Sequence, residues 1–262
     1  MKERKRRMTL LVAVSLVCLA AGLAFTAQAA DYSIGGGVGI APDYEGSDDY
    51  VAVPIPFGQA KFSNGMYVQL QGLTVRSNLI PSSWVQWLRA GPMYNYRSSR
   101  SDVDNNQVDD MKNVSDAHEL GGLVGFEYNK WFAFLEYLAD TGDAHDGSLT
   151  TLKGGYNWVI SDAWVFTTGG HVTYASDDYM STYFGVSSRD SVRSGLDEYD
   201  ADSSFKDIGL DLGVNWAFLD NWNLRGIASI SQLVGDADDD SPVTDEGSET
   251  QFFGGVLVVF KF

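Results

Sequence analysis

From Ile208 to Phe218 the chain alternates with a period of two. Ile208, Leu210, Leu212, Val214, Trp216 and Phe218 take the even positions, and Gly209, Asp211, Gly213, Asn215 and Ala217 the odd ones. Such alternation defines a strand, because successive side chains leave a pleated backbone on opposite faces. A soluble sheet buries an apolar face of this kind under a second layer, whereas a membrane barrel turns it out to lipid and encloses small and polar groups. The stretch is about eleven residues, the length a tilted strand needs to cross a bilayer. Trp222 to Gln232 repeats the pattern, with Trp222, Leu224, Gly226, Ala228 and Ile230 on one face and Asn223, Arg225, Ser229 and Ser231 on the other. A turn at Leu219-Asp220-Asn221 pairs Phe218 with Trp222, Trp216 with Leu224, Leu212 with Ala228 and Leu210 with Ile230. It also sets Asn215 beside Arg225 and Asp211 beside Ser229. A slip of one residue would mix the faces, so the register is strongly specified.

The chain opens with Lys2, Arg4, Lys5, Arg6 and Arg7, an apolar run from Leu10 to Phe25, and the small-residue site Ala27-Gln28-Ala29. This pattern predicts a secretory signal peptide over residues 1–29, cut after Ala29, and the run is short for the alternative, an uncleaved spanning anchor. The single cysteine, Cys18, lies in that run behind Val17, where a lipoprotein signal wants a small residue, so neither lipidation nor thiol chemistry is expected. Removing residues 1–29 takes five of the 18 Lys and Arg and one of the 35 Asp and Glu, leaving 13 against 34, a net charge of −21. That balance excludes nucleic acid as a partner. Residues 30–262 suit one domain, either a soluble sandwich or a barrel.

Read in order, the strands are Asp31–Ile40, Tyr50–Phe62, Met66–Gln71, Leu73–Leu79, Trp84–Tyr96, His118–Tyr128, Trp131–Thr141, Leu149–Ile160, Trp164–Tyr174, the pair above, and Gln251–Phe262. Prolines 54 and 56 mark the second as irregular or lying at a rim. Ser63-Asn64-Gly65 is a hairpin turn. The pairings predicted elsewhere set Val124 against Leu135 and Phe126 against Ala133 outward, Trp158 against Phe166 outward, and Lys153 against His171 inward. From Tyr128 onward, very short turns alternate with long polar loops, as in an outer-membrane barrel. The fold class is therefore all-β, a transmembrane antiparallel up-and-down barrel of about twelve strands, with ten as the alternative. Trp84, Trp131, Trp158, Trp164, Trp216 and Trp222 fall beside the short turns, which is the pattern of an interfacial aromatic girdle.

The lumen candidates are Arg76, Arg89, Glu127, Glu136, Lys153, His171, Asp211, Asn215 and Arg225, joined by Gln69, Gln71, Glu119 and Asp207. Mixed signs on facing walls either pair and plug a small barrel or line a narrow aqueous channel, with Ala175–Ser204 as an inward-folded constriction. Acidic loops would make such a channel prefer cations. Lys153 beside His171 should disfavour a charged imidazole. His118, flanked by Asp116 and Glu119, is a conceivable carboxylate-oriented base, and His145 stands in a loop between two acids. No serine nucleophile motif accompanies either, so no catalytic residue, cofactor or metal site is assigned. Asp236–Asp240 lacks calcium-loop spacing. Contact of the acidic loops with lipopolysaccharide phosphates would need bridging divalent cations.

Three loop segments resemble the MipA/OmpV family of outer-membrane proteins. They are Asp43-Tyr44-Glu45-Gly46-Ser47-Asp48-Asp49-Tyr50, Tyr183-Phe184-Gly185-Val186-Ser187 continuing to Ser194-Gly195-Leu196 and Tyr199, and Asp236-Ala237-Asp238 leading to Ser241-Pro242-Val243. The resemblance implies a barrel in the outer membrane of a Gram-negative cell, in contact with its lipid and lipopolysaccharide. It further implies a scaffold that bridges a murein lytic transglycosylase and a peptidoglycan synthase, and is no enzyme itself. Other members imply the alternative, a porin-like channel affecting antibiotic susceptibility.

Overall fold

The computed structural model describes residues 30–238 and 240–262, so the leader expected over residues 1–29 lies outside the described residues. Among the described residues twelve strands follow one another: β1 (Ala30–Pro42), β2 (Tyr50–Phe62), β3 (Tyr67–Gln71), β4 (Thr74–Asn78), β5 (Leu88–Arg97), β6 (Ala117–Tyr128), β7 (Trp131–Asp140), β8 (Ser148–Val159), β9 (Trp164–Ala175), β10 (Ser204–Leu219), β11 (Trp222–Leu233) and β12 (Thr250–Lys261). Each pairs antiparallel with its chain neighbour, and β1 pairs with β12, so the sheet closes into a twelve-stranded barrel. At that seam Gly37 has no room for a side chain. A Cβ there would meet the Val256 carbonyl at 2.0 Å, and this is why glycine recurs in a strand where propensity disfavours it.

Expected registers hold across the wall: Leu212 faces Ala228, Asn215 faces Arg225, and Asp211 faces Ser229. Val124 opposes Leu135, Trp158 opposes Phe166, and Lys153 opposes His171. Most boundaries shift by a residue or two, and two differences at the short-turn end change the reading. A bulge between Ala217 and Leu219 puts Leu219, not Phe218, opposite Trp222 and shortens the turn to Asp220-Asn221. The extra residue of a bulge unpairs one position, and both Phe218 and Leu219 remain exposed. The fifth strand begins at Leu88 rather than Trp84. The segment before it is tied across the barrel end instead, with the Ser82 N–H donating to the Asn64 carbonyl and the Leu79 N–H to that of Ala90.

Outward positions carry the apolar surface. Ile34, Val38, Leu120, Leu135, Leu152, Leu210, Leu212, Ile230 and Val256 are all exposed, the reverse of a soluble sandwich. Tyr128, Trp131, Trp158, Trp164, Trp216 and Trp222 ring the short-turn end, while Tyr50, Tyr137, Tyr174 and Phe205 mark the long-loop end. Trp164 and Trp216 stack with centroids 5.1 Å apart. No helix among the described residues is long and apolar enough to cross a membrane; the strands cross it. Arginine at Leu212, mid-strand on the lipid face, should cost about 2–4 kcal/mol. Urea titration of the heat-modifiable band in vesicles measures this, and an unchanged midpoint would contradict the outward orientation.

Candidate functional site

Five loops lie at one end, residues 43–49, 98–116, 141–147, 176–203 and 234–249. They hold 25 Asp and Glu against four Lys and Arg, while the strands and remaining turns from residue 30 onward hold nine of each. The net charge after residue 29 therefore resides entirely at the outer mouth. Helices α1 (Asn106–Asp109), α2 (Asp177–Tyr183), α3 (Ser188–Ser194) and α4 (Pro242–Asp245) form within these loops. Asn105 caps α1 by accepting from the N–H groups of Gln107 and Val108, and Ser187 caps α3 by accepting from Asp190. Gly195, at φ 78°, ends α3 in the left-handed conformation that glycine adopts without strain.

Despite their charge, the loops share buried apolar clusters. One gathers Tyr179, Met180, Tyr183 and Phe184 with Leu149 of β8, Ala175 of β9 and Leu233 of β11. The other joins Tyr44, Val103, Val108, Met111, Val186, Leu196 and Val243, and Tyr199 packs against both. The first cluster seats the segment on the β8–β11 side, and Tyr179 reaches Glu45 of the β1–β2 loop and the Arg97 guanidinium of β5, so Ala175–Ser204 lies across the mouth as a lid. The resemblance motifs build this lid. The Ser241 hydroxyl donates to the Phe184 carbonyl at 2.7 Å, the Ser194 hydroxyl donates to the Asp190 carbonyl at 2.8 Å, and the Gly185 N–H donates to Met180. Gly46 accepts from the Ser248 N–H at 2.7 Å, and Pro242 opens α4.

An ionic layer lies beneath the lid. The Glu45 carboxylate meets Arg97 at 2.8 Å and Lys206 at 3.3 Å, and accepts from the Tyr179 hydroxyl at 2.8 Å. Glu119, 1 % exposed, takes Arg97 at 2.9 Å, Asn95 at 2.6 Å and His145 Nε2 at 3.1 Å. Burial alone would raise the Glu45 pKa, but Lys206 and Arg97 outweigh it and hold the carboxyl below the usual range. Burial pushes Tyr179 well above the ordinary phenol value and Tyr44 to about 12.

The histidines fall otherwise than their sequence neighbours suggest. His118 points outward and shares a 2.8 Å hydrogen bond with the Tyr94 hydroxyl, while the adjacent Glu119 points inward, since consecutive strand residues cannot share a face. Of the two acids expected beside His118, Glu119 is therefore turned to the other face of the wall. His145, read as a loop residue between acids, is instead buried against Tyr179 and Tyr183. Nothing in its local sequence marks that partner set, which the β7–β8 loop, the lid and β6 bring together.

The lumen candidates meet in pairs. Arg76 and Lys153 both pair with Glu136, the latter at 2.6 Å, and Arg89 pairs with Glu127 at 3.0 Å. His171 Nδ1 lies 2.8 Å from Asp211, which also accepts from the Ser229 hydroxyl, and Nε2 lies 3.5 Å from Asp207. The expected influence of Lys153 on His171 is thus displaced: carboxylates hold the imidazole, and the lysine turns to Glu136. Arg225 donates to Asn215 at 3.1 Å and lies 4.4 Å over the Phe57 ring. Gln59, Gln69 and Gln71 form a chain of side-chain hydrogen bonds. Two inward apolar patches were not foreseen: Ile55 and Phe57 with Leu257 and Val259, and Met93 with Leu123 and Phe134.

The depressed Glu45 carboxyl stabilises the lid above the ordinary carboxylate range, and that contribution is lost as pH falls through its lowered pKa. Near-ultraviolet circular dichroism of the lid tyrosines should therefore change on acidification, and Glu45→Gln should remove part of that change. Coincident acid curves for the two proteins would contradict the assignment.

The family model described as "MltA-interacting protein MipA" matches residues 34–262. The MltA-interacting proteins of Escherichia coli (strain K12) and of Shigella flexneri are each 26% identical to this chain over 249 residues, covering 92% of it and 94% of theirs. Among solved structures, the NanC porin in a rhombohedral crystal form is 11% identical, with a TM-score of 0.42 over 88% of this chain and 100% of that one. An outer-membrane channel from Pseudomonas putida F1 is 12% identical, with a TM-score of 0.44 over 90% and 96%. Likenesses this distant do not bear on what the chain does. The family match runs from the first strand to the last residue of a closed barrel with a lipid-facing belt, and the chain is an outer-membrane β-barrel that belongs to the MipA family.

Proposed function

We propose that this barrel, exported by a leader over residues 1–29, is a non-enzymatic envelope scaffold that holds a murein transglycosylase and a peptidoglycan synthase at the outer membrane. The observation that carries this reading is the lid: the outer mouth is packed with buried side chains, and the lumen groups are paired, which suits an anchor better than a conduit. The relatives' name, which speaks of interaction with MltA, supports a transglycosylase as the first partner. The short-turn rim faces the periplasm and offers a place for such a partner. There the segment between β4 and β5 presents Trp84, which is 76 % exposed, whereas the other tryptophans lie between 37 % and 60 %. Exposed aromatics of this kind are common anchors of protein contacts. On the opposite side, the acidic loops meet lipopolysaccharide phosphates through bridging divalent cations, since direct contact would be repulsive.

Capture from mildly solubilised membranes should recover a transglycosylase, and Trp84→Ala should weaken that capture by roughly tenfold, the loss typical of an anchor residue. Recovery of no cell-wall enzyme, or equal capture by the variant, would count against the rim.

A second reading, a narrow cation-preferring channel, draws on the concentration of carboxylates at the outer mouth. Planar-bilayer recording separates the two. The scaffold reading expects a silent membrane, and discrete cation-selective steps would favour the channel.

A further inference from the structure

The barrel wall is not equally tall all round. β3 and β4 are five residues each, while the strands on either side of them are 13 and 10 residues long. β2 pairs with β1 along its whole length, from Tyr50 to Phe62, but with β3 only from Phe57 to Lys61. The β3–β4 tip is pinned between its neighbours, with the Gly72 N–H donating to the Pro56 carbonyl at 2.9 Å and the Tyr96 N–H to that of Leu73 at 3.1 Å. Above the tip, no strand among the described residues pairs with β2 on this side. Higher still the gap is bridged by loops, where the Asp104 N–H donates to the Asp43 carboxylate at 3.1 Å. The result is a window framed by β2, the hairpin tip, the end of β5 and the loop contact.

The window opens at lipid depth. From Pro56 to Tyr50 the strand rises about 20 Å, or about 15 Å once tilted, which matches one leaflet of the hydrocarbon core. Tyr50 lies at the outer aromatic row, so the leaflet is the outer one. In a bilayer, an unpaired strand edge is costly because no water reaches its N–H and C=O groups. The sequence reduces that cost where it matters. The Pro56 carbonyl faces the gap, so alternate residues Tyr50, Ala52, Pro54 and Pro56 aim their backbones the same way, and two of these four have no N–H to leave unpaired. The same prolines weigh against a second copy of the chain adding a strand here, since strand addition needs those donors.

On the β2 side of the window the inner wall is apolar where a water-filled channel would be polar. Val51, Val53 and Ile55 alternate inward on β2, with Ile55 packed on Phe57, Leu257 and Val259. Met93, with Leu123 and Phe134, lies behind the hairpin, opposite Arg76 of β4, while at the window itself β5 turns Asn95 and Arg97 inward to Glu119 and Glu45. The geometry points to a lateral lipid site, in which an acyl chain of an outer-leaflet lipid enters between β2 and β5 and lies against the half-buried Val51 and Val53, above the fully packed Ile55. The site needs no opening of the lid and is independent of the scaffold reading.

Cys18 is the only cysteine in the chain, so a cysteine introduced in the barrel can be labelled against an unsubstituted blank. The full chain carrying Val53→Cys, modified with a benzophenone maleimide and inserted into phosphatidylglycerol vesicles, should form a lipid adduct on irradiation. Thr151→Cys, which faces the lumen on β8, six strands away around the barrel, should form none. Val51→Cys replaces the first probe if that variant lacks the heat-modifiable folded band. Absence of adduct from a folded β2 probe, equal adduct at Thr151, or a cross-linked pair of chains in place of lipid would each overturn the site.

Discussion

Backbone hydrogen bonding in a medium without water is the constraint on which this molecule depends. Every N–H and C=O at membrane depth must find a partner within the protein, and a closed antiparallel sheet is one of two ways to provide them. Closure between β1 and β12 removes the edges an open sheet would leave, and it asks for glycine at the seam, where Gly37 lies against the Val256 carbonyl. The short β3–β4 hairpin is the place where closure is incomplete, and there proline takes over from pairing by removing the donors.

The same low dielectric shapes the interior. Charges inside the barrel are stable because they are paired: Glu136 serves Arg76 and Lys153, Asp211 serves His171, and Glu119 serves Arg97 and His145. A pair of this kind contributes little over an apolar pair of like volume, but loss of one partner strands the other, so the network enforces one arrangement of strands and lid. The excess acids lie outside this interior, in the loops, where water and counter-ions screen them. Segregating the net charge in this way leaves the membrane-spanning part neutral.

The lid reverses the usual relation between loops and order. The loops are acidic and polar, yet they carry a set of large apolar residues, among them Tyr44, Tyr179, Met180, Phe184 and Val243, which are buried in two clusters that Tyr199 joins. Each loop alone would hold too few apolar residues to order itself, and together they make a small core seated on the barrel rim. The resemblance motifs belong to that core: Tyr183 and Phe184 pack in it, and Ser194, Gly195 and Ser241 cap or tie its helices.

Strand identity, register and the direction of the greasy face were legible in the residues, because a period of two admits one assignment once the apolar side is known to face lipid. Arg76, Glu136, Lys153, His171 and Arg225 were placed in the lumen for the same reason. Which of them pair was not legible. Lumen partners such as Arg76 and Glu136 sit 60 positions apart, and only the closure of the barrel sets their walls face to face. The His118 and His145 environments were misread because neighbours in sequence along a strand are on opposite faces, whereas neighbours in space come from separate loops. The alternation of side chains thus determined that the chain is a membrane barrel and which residues share a face of each strand. Whether the mouth is closed, how the enclosed charges are matched and where the wall falls short were decided by tertiary structure alone, since those depend on long-range contacts that no local pattern encodes.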